Sequence, residues 1–209
     1  MDYRNRRPLP RLKALGAVLR PRRIVAVALV VAFAVLAARI AAPSSGGHFR
    51  YSAAFACGVE RWKVKTLQDR PRLLPAHAIP MSQLVGHDRP TPLPGTRLPF
   101  ERHIWSVDAA VTLVRHEPEE DFHIVLESGA DQMIAESPSS ACTRGATAYR
   151  RRQIREARSE LRLCTQARVV GVAFFDFKHG QTGVAPNAIE LHPILDFTCL
   201  VGPSGEPNA

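Results

Sequence analysis

The chain has 209 residues, room for one mid-sized domain with accessory segments and too few for a large multidomain enzyme. Apolar residues make up 45% and charged residues 22%, which excludes wholesale disorder and collagen-like repeats. The net charge of +9 is unevenly placed: residues 1–23 hold eight basic side chains against the single acid Asp2, while the rest of the chain holds 20 basic and 18 acidic residues. A body so close to neutral argues against nucleic acid as the main partner.

Residues 1–23 read as a basic cytoplasmic tail or n-region, and residues 24–42 as a signal or transmembrane helix. Ile24 to Ala38 form an unbroken apolar run before Arg39 interrupts it. That run is short for a span of about 20 residues unless Arg39 snorkels to the interface. It sits at the upper end of a signal-peptide core of about 7–15 residues. The preceding basic flank keeps the tail inside and exports the body of the chain. Two outcomes stay open: a cleaved signal, giving a secreted protein, or a retained single-pass anchor in the membrane. Both place the body outside the cytoplasm.

Cys57, Cys142, Cys164 and Cys199 all lie beyond the apolar segment. An even count in an exported chain predicts two disulfides, with three connectivities open. No pair has the close spacing of a zinc ribbon or redox motif.

Residues 43–100 read as a linker and proline-rich arm. Pro43 to Gly47 is a flexible joint, and the block Cys57-Gly58-Val59-Glu60-Arg61-Trp62-Lys63-Val64-Lys65-Thr66 comes next. In that block Glu60, Arg61 and Lys65 are expected to form ion pairs, with Trp62 buried. Trp and Arg are also favoured at binding hot spots, so the four are candidate ligand contacts too. Seven prolines between 71 and 99 predict an extended arm without regular structure over 67–99.

The globular part spans residues 101–201, with a loose tail over 202–209. Strands are predicted at 103–116, 121–128 and 132–136, with Gly129-Ala130-Asp131 turning the second hairpin. Ile154, Ala157 and Leu161 recur at helical spacing within 148–163, and six arginines there form a solvated face. Two more strands are predicted at 168–178 and 188–200, where Pro193 implies an edge or a bulge. The order strand–strand–strand–helix–strand–strand is that of the OB-fold, a five-stranded Greek-key barrel. The predicted class is thus mainly β with one helix; an open sheet with one covering helix is the alternative.

The Cys57–Thr66 block resembles a C-G-x-E-R-W-x-V-K-T block of a family of exported bacterial proteins. The segment from Gly171 to Asp176 and then His179 to Pro193 resembles a second block of the same family. Members often have Gly where this chain has Ala188. The resemblance covers roughly residues 57–200 and implies the boundaries of the unit; the family brings no established activity. A weaker likeness links the Ile189-Glu190-Leu191-His192-Pro193 string to the last strand of secreted OB-fold nuclease-like domains.

Asp176, His179, Gln181, Asn187, Glu190 and His192 form the densest polar cluster. Glu190 and His192 are two apart on a strand and share a face. With His179 reaching them from the base of the loop, two imidazoles and a carboxylate would hold a divalent metal and an activated water, as in a metal-assisted hydrolase. Without metal, His192 would serve as general base, oriented by Glu190. Against this stands a bland reading, in which His179, Gln181 and Asn187 satisfy the backbone of a tight loop. His116 and His123 flank the first hairpin and are expected at the surface. Phosphate-binding loops, nucleophile elbows and H-E-x-x-H are absent from the sequence. Three functions are compatible with these features: an extracytoplasmic binding domain, a metal-assisted hydrolase, and a structural envelope protein.

Overall fold

The computed structural model describes Cys57, Gly58 and residues 60–205. The segments read as tail, membrane helix and joint lie outside the described residues. Among those described, no helix is long and apolar enough to cross a membrane.

The elements run in the order α1 (Trp62–Lys65), β1 (Ala76–Ala78), α2 (Met81–Val85), a 3-10 turn (Phe100–Arg102), β2 (Ile104–His116), β3 (Phe122–Ser128), β4 (Asp131–Ser137), α3 (Ala148–Glu160), β5 (Cys164–Phe175) and β6 (Ile189–Val201). Strand β2 pairs antiparallel with β3, and β3 with β4. Strand β4 runs parallel to β6, which pairs antiparallel with β5, and β5 returns antiparallel to β2. The ring β2-β3-β4-β6-β5 therefore closes, with α3 connecting β4 to β5. This is the predicted five-stranded OB-like barrel, and closure removes the exposed edges of an open sheet.

The arm is more regular than its prolines predict. Ala76–Ala78 adds a sixth strand, parallel to the start of β2, and α2 comes directly after it. Pro75 and Pro80 bound the strand instead of interrupting it. Pro80 also precedes the first turn of α2, where a missing N–H removes no helical bond. Strand β5 starts four residues earlier than predicted and stops at Phe175. There the Asp176 carboxylate accepts from Phe177 N–H (2.8 Å) and turns the chain.

Alternation sends one set of side chains inward: Val107, Ala109 and Val111 of β2, Ile124 and Leu126 of β3, Met133 and Ala135 of β4, Val169, Ala173 and Phe175 of β5, and Ile189, Leu191, Ile194 and Phe197 of β6. Pro193 marks a bulge and not an edge, because β6 is paired on both sides. Gly171 lies opposite Ile194 while Ala173 lies opposite Leu191, so β6 carries one extra residue there. Helix α3 is capped by Thr147, whose hydroxyl accepts from Arg150 N–H (3.3 Å), and buries Ile154 and Ala157. Of its arginines, Arg152 is exposed, whereas Arg158 lies 4.2 Å over the Phe122 ring.

All four cysteines are paired, Cys57 with Cys142 and Cys164 with Cys199. The first bond ties the N-terminal block to the β4–α3 connection, and the second ties β5 to β6.

Candidate functional site

The residues between the inward positions face away from the barrel axis. On β3, β4 and β6 they include four polar groups, His123, Glu136, Glu190 and His192, set beside the apolar Val125 and Ile134. His123 lies directly opposite Glu136 across the hairpin, and Glu190 is paired with Ile134 of β4 on one side and Phe174 of β5 on the other. An outer wall would ordinarily be wet. Here α1 and the 176–188 loop cover it, so His123, Glu190 and His192 are 2%, 1% and 0% exposed.

The loop can cross the wall because Gly183 has a positive φ of 83° and no side chain; a Cβ there would come within 2.5 Å of Val125 Cγ2. His123 Nε2 donates to the Thr182 carbonyl (2.8 Å), while its Nδ1 lies 3.1 Å from Glu136 Oε1. With an acceptor at each nitrogen, the imidazolium is the form that satisfies both. Burial opposes that charge, yet the contacts to Glu136 and Thr182 win and raise the His123 pKa. His123 is thus buried, contrary to the surface position read from the sequence, because a loop distant in sequence folds over it.

His192 sits between three carboxylates. Its Nδ1 is 3.0 Å from Glu136 Oε2 and 3.9 Å from Glu190 Oε2, and its Nε2 is 3.8 Å from Asp121 Oδ2. The Phe174 ring meets it edge-on. Burial and the nearby Lys65 ammonium oppose protonation, but contact with Glu136 and Glu190 outweighs them and raises the pKa to about 9. Glu190 is raised to about 8, first by burial and then by the Glu136 charge. Asp121 is raised to about 6, chiefly by burial. Burial also pushes Glu136 upward, but His123, His192 and Lys65 overcome it and hold this carboxyl well below its ordinary value. Lys65 Nζ lies 3.7 Å from Glu136 Oε2. The wall therefore holds both signs of charge, with protons distributed unevenly among like groups.

The N-terminal block supplies the lid. Arg61 makes a two-pronged pair with Glu101 (2.5 and 2.7 Å) and donates to the Phe175 and Thr96 carbonyls (2.9 and 2.8 Å). Its guanidinium lies 5.0 Å over the Phe174 ring. Glu101 also accepts from the Phe175 and Leu98 N–H groups (3.0 and 2.8 Å). Arg61 adopts φ 46°, a left-handed backbone held in place by these contacts. The two sequence blocks singled out by resemblance thus meet in space, Arg61 and Lys65 of one against Phe174, Glu190 and His192 of the other.

The His179, Glu190, His192 centre is not assembled as the sequence reading placed it. His179 is exposed, and its donor atoms group with those of Glu60 and Asp176, whereas those of His192 group with Asp121 and Glu136. The loop turns His179 toward Gln181, which accepts from His179 N–H (3.0 Å) and donates to the Phe177 carbonyl (3.0 Å). Asn187 donates to the Leu84 and His87 carbonyls (2.8 and 2.9 Å) and accepts from Ile189 N–H (3.1 Å). Both amides serve the backbone. Asp176 is buried, Glu60 is exposed, and Trp62 is half-buried over Gly58 instead of fully buried.

Asp121, His123 and Glu136 escaped the sequence reading as site residues. A signal existed for two of them. A two-residue turn at Gly129-Ala130 pairs Ser128 with Asp131, and counting back along that register brings His123 opposite Glu136. Asp121, read as the first residue of the second strand, is buried, with its Oδ2 3.8 Å from His192 Nε2.

No protein-family model and no curated protein matches the chain. Among solved structures, it is similar to a Leishmania major Friedlin chain assigned as an aspartyl-tRNA synthetase, at 16% identity over 58% of this chain and 20% of that one, with a TM-score of 0.36. It is also similar to the asparaginyl-tRNA synthetase of Entamoeba histolytica, at 10% identity over 61% of this chain and 24% of that one, with a TM-score of 0.35. The chain thus spans between a fifth and a quarter of the length of these neighbours.

Proposed function

We propose that the chain is an exported protein, secreted or held at the membrane through residues 24–42, whose disulfide-stapled OB-like domain binds a ligand outside the cytoplasm. The observation that carries this reading is the use of all four cysteines in two disulfides. Such bonds persist in oxidising compartments and are rare where thiols are kept reduced. The basic-then-apolar N-terminus supplies a route to that compartment. The nearly neutral body directs the reading toward protein, glycan or small-ion ligands. Hydrolysis at a centre of His179, Glu190 and His192 loses its support, since His179 groups with Glu60 and Asp176, away from the Glu190–His192 pair.

The test is a peptide map of the natural protein, run with and without reductant after cell fractionation. The expected result is a Cys57–Cys142 and a Cys164–Cys199 crosslink in extracytoplasmic material. N-terminal sequencing of the same sample separates the secreted from the anchored form. Four free thiols in a cytoplasmic fraction would overturn the proposal.

A further inference from the structure

The covered wall holds more buried polar atoms than its own side chains satisfy. Both oxygens of Glu190, His192 Nε2 and Asp121 Oδ1 are buried without a hydrogen-bond partner, while His192 Nδ1 meets Glu136 Oε2 at 3.0 Å as an ion pair. Burying unpaired polar groups costs about 1–3 kcal/mol each, and more where they are charged. Lys65 approaches Glu136 alone among these groups within ion-pair distance. Donor atoms of Asp121, Glu136 and His192 all lie within 4.8 Å of one another.

We propose that Asp121, Glu136 and His192 bind a divalent first-row transition-metal ion, with Glu190 as the adjoining carboxylate. The donor set selects the ion class. An imidazole with two carboxylates suits zinc, cobalt or manganese, whereas calcium takes six to eight oxygens. Ligand bonds of about 2.0–2.2 Å place tetrahedral donors about 3.4 Å apart, so small side-chain rotations bring these three into range. Three protein ligands leave a fourth position open. Glu190 is aimed into the same space, 3.9 Å from His192 Nδ1. The ion enters beside Lys65 and Glu136, whose side chains are 11% and 13% exposed and thus the most open of the cluster. Lys65 is the resident cation that competes with it. This site is independent of the export reading: its failure leaves the disulfides and their compartment untouched.

The test uses untagged, oxidised full-length protein in detergent, stripped with a chelator and titrated with Co²⁺ and Zn²⁺. Calorimetry gives the stoichiometry, and the visible bands of Co²⁺ report its ligands. One equivalent is expected. Asp121→Asn, close in shape to the native residue, is expected to weaken binding more than about tenfold. Lys65→Met is expected to tighten it, since it removes a competing charge, and Glu60→Gln to leave it unchanged. Thermal melts establish that each variant is folded. If Asp121→Asn does not fold, tighter binding by Lys65→Met decides for the site. No binding at millimolar metal, binding undiminished in folded Asp121→Asn, binding no tighter in folded Lys65→Met, or loss of binding in Glu60→Gln would overturn the proposal.

Discussion

The inside of the barrel and the covered wall outside it are built from alternate residues of the same strands, yet they obey opposite rules. Leu191 points inward among apolar neighbours, while Glu190 and His192 on either side of it point into a buried charged layer. Each large inward side chain contributes about 1.5–3 kcal/mol by leaving water. The wall is buried just as deeply, but its groups lose hydration and recover only part of it through one another. The interior holds the fold together. The wall gives up some of that stability to keep carboxyls and imidazoles in unusual protonation states, the arrangement expected of a site and not of a core.

The largest expected break in this comparison comes from neighbouring residues. Leu191→Ala should cost about 2–5 kcal/mol, because it leaves a cavity in a closed barrel. Glu190→Gln should cost no stability at pH 6 and should gain about 2 kcal/mol, since the native carboxyl is protonated there while the unfolded one, with an ordinary value of 4.5, is ionised, and Gln is spared that proton uptake. Urea unfolding of the two variants measures the contrast. Equal losses would mean that the wall packs like the interior.

A second effect sharpens the wall's contribution. Folding raises Asp121 from 3.8 to about 6, Glu190 from 4.5 to about 8 and His192 from 6.5 to about 9. Between each ordinary value and its raised one, the folded state binds the extra proton, so stability falls as pH rises through that window. Glu136 shifts the other way and loses its contribution below its ordinary value of 4.5. Lys65, His123, Asp176 and Arg158 face the same cluster from α1, β3, the loop after β5 and α3. Their charges enter the balance. The thermal midpoint in the presence of chelator should therefore be higher at pH 5 than at pH 9. A flat profile or a rise over that range would contradict the assignment of protons.

Much of the barrel was legible because its strands carry period-two alternation and its one long helix carries helical spacing. Each predicted strand of the ring and α3 has its observed counterpart. The arm is less legible, because proline predicts a break in regular structure, whereas Pro75 and Pro80 stand at the boundaries of β1 and α2. The site was legible only in part. Glu190 and His192 announced a shared face by their spacing, but His179 was joined to them by closeness in sequence alone. Asp121 and Glu136 reach His192 through the strand pairing of the barrel, and Lys65 reaches Glu136 through the packing of α1 on the wall, long-range events that local periodicity does not encode. Ala188 is a local case. It adopts φ 56°, a left-handed backbone that favours glycine and that its residue type does not announce.

The N-terminal block and the strand wall form one charged site, and a double-mutant cycle between Lys65→Met and Glu136→Gln, read by denaturant unfolding, tests this most directly. The two residues are 71 positions apart in sequence and meet only if the block closes over β4 as described. A coupling of about 0.5–3 kcal/mol is expected between them. Effects that add to within about 0.3 kcal/mol would show that Lys65 and Glu136 act independently, and would contradict a shared site.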